Sequence, residues 1–187
     1  RAAASDRRIT EIMDAKVDLT DENAARKDLK VERGEIEFRH VSMRYFKKNK
    51  EQVLEDISLH IQAGQFVGIV GSTGSGKSTL VSLISRLYDP DKGQVLVDGT
   101  DVRDYSLYHL REGAAVVLQK NTLFSGTIAE NLRWGNEDAS DEEMEWACRI
   151  ACADSFVKSF PEGYETELEQ GGANLSGGQR QRLCIAR

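Results

Sequence analysis

The chain has 187 residues, with 25 Lys and Arg against 31 Asp and Glu and a net charge of −6. That acidic balance argues against non-specific nucleic-acid binding, and no apolar run approaches the roughly eighteen residues that a membrane span needs. At 40% hydrophobic residues, the length suits one domain with a proper core plus an extension. The opening RAAASDRRIT has neither an apolar h-region nor an initiating Met, so it reads as the start of a fragment rather than a secretion signal.

In chain order, residues 5–17 place Ile9, Ile12, Met13 and Val17 on one helical face. Residues 18–33 are dense in charge and read as a solvated linker. Alternation begins at Glu35: EIEFRHVSMRY predicts a strand with Ile36, Phe38 and Val41 inward, and VLEDISLHI a second strand. FVGIV, residues 66–70, is a short continuous apolar run, the pattern of a strand buried on both faces. It leads into GSTGSGKST and the helical TLVSLISRLY. QVLVDG then reads as a strand, SLYHLRE as a helix, and AAVVLQ as another buried strand. Beyond Gln119 the character is helical: TIAENLRW, then SDEEMEWACRIACADSFVKSF, which Ser140 and Glu143 would open with a capping box. Cys148, Cys152 and Cys184 include no C-x-x-C pair and read as reduced thiols. Cys148 and Cys152 are expected to pack among apolar groups rather than hold a metal.

Gly71 to Ser78 complete G-x-x-x-x-G-K-[ST] between a strand-like run and a helix. The expected nucleotide contacts are Gly71, Ser72, Thr73, Gly74, Ser75, Gly76, Lys77, Ser78 and Thr79. Backbone N–H groups would close round phosphates at the start of the helix, with Lys77 on the β- and γ-phosphates and the Ser78 hydroxyl on Mg2+. Gly74 and Gly76 can take the positive φ that such a loop demands. A magnesium carboxylate is harder to find. Asp98 follows a strand, but a turn comes next with no second carboxylate, so the chain reads as lacking its catalytic acid.

The second glycine motif is NLSGGQRQR. Ser176 and Gln179 form a capping box over two glycines, leaving a bare helix N-terminus suited to an anion. With GSTGSGKST, this LSGGQ makes residues 35–187 resemble the ATP-binding cassette family, exporter type. The resemblance implies an α/β fold: a P-loop NTPase core, an N-terminal antiparallel β subdomain and an inserted α-helical subdomain at about 122–175, cut short at the C-terminus. Residues 1–33 would be the tail of a transmembrane domain and its linker, and 34–187 the nucleotide-binding domain. Tyr45 falls where the family stacks an aromatic on adenine, and Gln119 where its glutamine contacts Mg2+ and the attacking water. Ser176, Gly177, Gly178 and Gln179 would cover a nucleotide held by a second nucleotide-binding domain. Phe124 with residues 121–127, Glu167 and Gln170 would meet the coupling helices of a transmembrane domain.

The implied function is ATP binding, and hydrolysis in a full-length dimer, to power export from the cytoplasmic face of a cell membrane. No nucleic-acid partner is implied. The family's magnesium aspartate, catalytic glutamate and switch histidine lie beyond the signature helix, and His40, His60 and His109 all precede it, so the fragment alone is expected to be inactive. Leu118 where exporters usually have Pro, Glu169 where Gly is common, and Trp134 suggest one half of a heterodimeric multidrug-type exporter. The alternatives are a regulatory ATP-binding half with little hydrolysis, or a soluble ATPase of the same family.

Overall fold

The computed structural model describes residues 2–15, 17–45, 51–118 and 120–187. They divide into two compact units, Arg1–Ala115 and Val116–Arg187. The first begins with helix α1 (Ala2–Met13), whose predicted apolar stripe is present but exposed at Ile9, Ile12 and Met13.

The centre of this unit is an antiparallel sheet of β1 (Ile36–Met43), β2 (Leu54–Ile61), β3 (Lys92–Val97) and β4 (Thr100–Asp101), in the order β2-β1-β3-β4. Strict alternation from Phe38 would bury His40 and expose Val41. Instead the register slips between Phe38 and Val41, and His40 takes a left-handed φ of 50°. This bulge re-phases the strand, so Phe38, Val41 and Met43 are all buried. Gly93 on β3 makes the bulge possible, since a Cβ there would collide with the carbonyl oxygens of Arg39 and His40. His40 points outward, with Nδ1 2.7 Å from the Asp56 carboxylate.

Helices α2 (Lys77–Ile84) and α3 (Leu107–Glu112) pack Leu80, Leu83 and Leu110 onto Phe38, Val95, Val97 and Tyr105. The Tyr105 hydroxyl, fully buried, donates to the Val97 carbonyl at 2.9 Å. His109 lies on α3, within the SLYHLRE stretch expected to be helical.

Two expected strands are absent. FVGIV and the described part of AAVVLQ lie outside any strand, and Phe66 and Val70 are 104% and 96% exposed. A buried strand needs ladder partners, and among the described residues no strand pairs with either segment.

The charged segment at 18–33 is not a free linker either. Its Arg26 N–H donates to the Asp104 carbonyl, and the Lys27 carbonyl accepts from His109 Nδ1 at 2.7 Å. Asp21 accepts from the Leu107 N–H at 2.9 Å, near the start of α3. The Asp98 carboxylate takes three backbone N–H groups, from Glu32, Arg33 and Glu35, at 2.8–3.0 Å. Val31 fills the space beside Gly113, where a Cβ would clash with it. The segment is a strap. Asp98 is therefore occupied as a structural acceptor, which argues against a metal role.

Burial pushes the Asp98 carboxyl up, but its N–H donors and the Arg33 charge outweigh this and hold it below the usual carboxylate range. A depressed folded value means that the clamp contributes fully above the ordinary pKa of 3.8 and is lost as the pH falls through the folded value. The strap amides should thus stay protected at pH 5 and open only in stronger acid. Asp98→Ala should speed their hydrogen exchange about tenfold at neutral pH. Unchanged exchange at Glu32, Arg33 and Glu35 in that variant would count against the clamp.

The second unit is mainly helical. It contains β5 (Gly126–Thr127), α4 (Ile128–Arg133), α5 (Asp141–Ile150), α6 (Asp154–Val157), β6 (Glu167–Leu168) and α7 (Gly177–Ala186). Its core joins Leu123, Ile128, Leu132, Met144, Val157, Leu168 and Leu183. Capping boxes open α4, α5 and α7 through Thr127/Glu130, Ser140/Glu143 and Ser176/Gln179. The long helix expected from Ser140 to Phe160 is broken. Ala153 N–H reaches back to the Cys148 carbonyl and Cys152 N–H to that of Arg149, with Cys152 at φ 53°. That pair of bonds is a Schellman stop, here without the usual glycine. It leaves Cys148 buried, as expected, and Cys152 exposed.

Candidate functional site

The first unit gathers the predicted phosphate contacts at the start of α2. Gly74 and Gly76 have φ of 85° and 86°, the left-handed values that the motif requires. At Gly76 a side chain is doubly excluded, because a Cβ would lie 2.8 Å from both Leu54 Cδ2 and the Val53 carbonyl oxygen. Gly76 is the N-cap of α2 and offers no side-chain acceptor, so the first turn keeps its N–H groups and the positive end of the helix dipole for an anion. Lys77 arches back over the loop, its ammonium donating to the Gly71 and Ser72 carbonyls at 2.8 and 2.7 Å and to Ser75 Oγ at 3.3 Å. The Ser78 side chain is exposed beside it.

Tyr45, which follows β1, joins this loop. With Val53 it lines a cleft of about 330 Å³ whose other walls are Gly74 to Thr79. Its phenol shares a 2.8 Å hydrogen bond with the hydroxyl of Thr79, which is buried in α2. The residue is 45% exposed, which leaves part of its surface open to a flat partner. Val53 was not singled out in the sequence, because its place at the cleft depends on how β2 is entered rather than on spacing. Gln119 lies outside the described residues.

No group of three or more His, Cys, Asp or Glu that could hold a metal occurs among the described residues. Among the described residues a magnesium ion here would meet one hydroxyl, at Ser78, together with phosphate oxygens and water. This suits a cation that keeps much of its hydration shell.

The signature lies in the second unit. Ser176 Oγ accepts from the Gln179 N–H at 3.2 Å, and Gln179 Oε1 accepts from the Ser176 N–H at 2.9 Å. Gly177 and Gly178 are exposed, and their φ values are not in the left-handed region. A Cβ on either would meet nothing closer than 3.9 Å. The local fold therefore does not require glycine at either position. Arg180 and Arg182 are turned into their own unit, onto the carbonyls of Leu175 at 2.6 Å and Cys152 at 3.0 Å. Arg182 also lies over the Phe156 ring, 5.2 Å from its centroid.

The segments expected to meet coupling helices come together within this unit, where Gly126 pairs with Leu168 and Thr127 with Glu167. Phe124 stacks on Trp134 at 4.4 Å and 21°, and both rings line a groove of about 560 Å³ with Glu130, Arg133 and Glu137. The buried Asn131 amide anchors this wall, accepting from the Phe124 N–H at 2.8 Å and donating to the Phe124 and Thr127 carbonyls. Sequence reading passed over Asn131, which looks like any polar residue on a surface helix.

Comparison with known proteins gives the family. The chain is 52% identical over 155 residues to YgaD of Bacillus subtilis, provisionally named a multidrug export ATP-binding/permease protein, covering 83% of this chain and 27% of that protein. It is 40% identical over 176 residues to the Agrobacterium vitis beta-(1-->2)glucan export ATP-binding/permease protein NdvA, covering 94% and 30%. A bacterial Atm1-family ABC exporter solved with ATP bound superposes with a TM-score of 0.88 at 34% identity, over 98% of this chain and 32% of that one. The chain thus spans about a third or less of the length of these proteins. The ABC transporter family model matches residues 54–187, which takes in both glycine motifs, and the chain belongs to that family.

Proposed function

We propose that this chain binds ATP with Mg2+ at residues 71–79 and, paired with a second such domain, hydrolyses it to drive export across a membrane. The observation that carries the reading is the cleft where Tyr45 stands over Gly74–Thr79, with an uncapped helix N-terminus and an ammonium at one end and an exposed aromatic at the other. In this reading Lys77 holds the β- and γ-phosphates, Ser78 and Gln119 meet Mg2+, and Tyr45 stacks on the base. When bound there, the ion would supply neutralisation of phosphate charge. Ser176 to Gln179 close over the nucleotide of the partner domain, whose own signature closes over this one. Similarity to proteins named for export favours this reading over a soluble ATPase of the same family.

The helical second unit would act as the inserted subdomain, and residues 1–33 would connect to a membrane domain, placing the ATPase at the cytoplasmic face. The Phe124–Trp134 groove would receive a coupling helix: two exposed aromatics with Glu130, Arg133 and Glu137 suit an amphipathic helix end. Saturable Mg2+-dependent ATP binding by the intact protein is the primary test, and its absence would end the proposal. For the groove, Trp134→Ala should leave ATP affinity within about twofold while lowering transport about tenfold, because hot-spot aromatics of this kind commonly cost more than about 1 kcal/mol. Equal loss of both activities would show a general folding defect instead.

A further inference from the structure

Tyr45 touches a second aromatic that neither glycine motif includes. Tyr88, in the turn after α2, lies edge-to-face with it, ring centroids 5.1 Å apart and planes at 83°. Such a T-shaped pair is attractive and strongly orienting, because the positive rim of one ring meets the negative face of the other. The turn that carries Tyr88 is itself fixed. Arg86 grips Asp89 with two bonds, at 2.9 and 3.2 Å, and Arg111 donates to the Ser85 and Arg86 carbonyls. Asp91 then accepts from the backbone N–H of Arg44, the residue before Tyr45, at 2.8 Å.

Tyr45 is therefore held twice by the chain that leaves the phosphate loop: its hydroxyl by Thr79 within α2, and its ring by Tyr88 beyond it. Tyr88 has no part in the phosphate cleft and is 44% exposed, so it is not needed merely to fill the core. We propose that Tyr88 is a positioning residue for base recognition, holding the Tyr45 ring at the angle from which it stacks on the purine of a bound nucleotide. The inference rests on the reading that Tyr45 stacks on the base. It adds that the base platform and the phosphate cradle are built as one piece through α2.

The test compares equilibrium binding of Mg2+-ATP and of inorganic tripolyphosphate, which has no base, to the intact protein. Tyr88→Ala should weaken ATP about 2- to 10-fold, the range for loss of an aromatic pair, and leave tripolyphosphate unchanged. Tyr88→Phe keeps the ring and should bind both as the parent does. In a Tyr45→Ala background, Tyr88→Ala should have no further effect, because there is no ring left to position. Three results would overturn the proposal: equal weakening of ATP and tripolyphosphate, an undiminished effect in the Tyr45→Ala background, or no effect on ATP at all. If Tyr45→Ala alone leaves the ratio of the two affinities unchanged, the base-stacking reading fails and this inference fails with it. If Tyr45→Ala changes that ratio and Tyr88→Ala does not, only this inference fails.

Discussion

Replacing Lys77 with alanine is expected to weaken Mg2+-ATP binding about a hundredfold and to abolish turnover in the assembled transporter. The reasoning is electrostatic. An ammonium facing the β- and γ-phosphates makes charge-assisted hydrogen bonds, worth roughly 1.5–3 kcal/mol each, and about 1.4 kcal/mol is a tenfold change in affinity. The fold should tolerate the change. Among the described residues the Lys77 ammonium bonds to the Gly71 and Ser72 carbonyls and to Ser75, all within its own loop, and Lys77 is not part of the buried core. Lys77→Arg should also fail, because a planar guanidinium cannot replace a compact ammonium among acceptors set around a point. Titration calorimetry and thermal unfolding measured together decide the matter. Unchanged ATP affinity in a folded Lys77→Ala protein would remove the phosphate-loop assignment.

The second large effect is expected at Gly177 and Gly178, where stability and activity should move in opposite directions. Neither has a left-handed φ, and a Cβ at either meets only open space or ordinary contacts with arginine side-chain ends. Alanine is a better helix former than glycine, so each substitution at the start of α7 should leave the unfolding midpoint unchanged or raise stability by up to about 1 kcal/mol. Activity should nevertheless fall about 100- to 1000-fold, the loss seen when one preorganised donor to a developing negative charge is removed. A methyl on this face would hold the partner's nucleotide away from the exposed N–H groups. ATP binding to this chain's own phosphate loop should be unaffected. A Gly178→Ala protein that is stable and fully active would show that nothing approaches this turn closely.

Much of this was legible in the sequence because it is local. The glycine loop before α2, the capping boxes at Ser140 and Ser176 and the first two strands each depend on residues a few positions apart, and the structure contains them. What was not legible depends on partners far along the chain. The bulge at His40 is decided by Gly93, which leaves room for the displaced carbonyls. The strap at 18–33 looked like a solvated linker because it is rich in charge, yet its order comes from backbone N–H groups seeking the Asp98 carboxylate. FVGIV has the composition of a buried strand, but composition cannot supply the neighbouring strand that would bury it. Asn131, Val53 and Tyr88 act through tertiary contacts alone and carry no sequence signal.

The strap also changes where this domain should be divided from what precedes it. Composition suggests a cut near residue 34, where alternation begins. A cut there would remove the amides of Glu32 and Arg33 from Asp98, Asp21 from the start of α3, and Val31 from the hollow beside Gly113. A chimera that joins this ATPase to a different upstream segment should therefore splice before Asp21. Splicing later would expose apolar surface and leave the Asp98 carboxylate and the Leu107 N–H without their strap partners, and the resulting poor solubility would look like a fault of the graft rather than of its boundary.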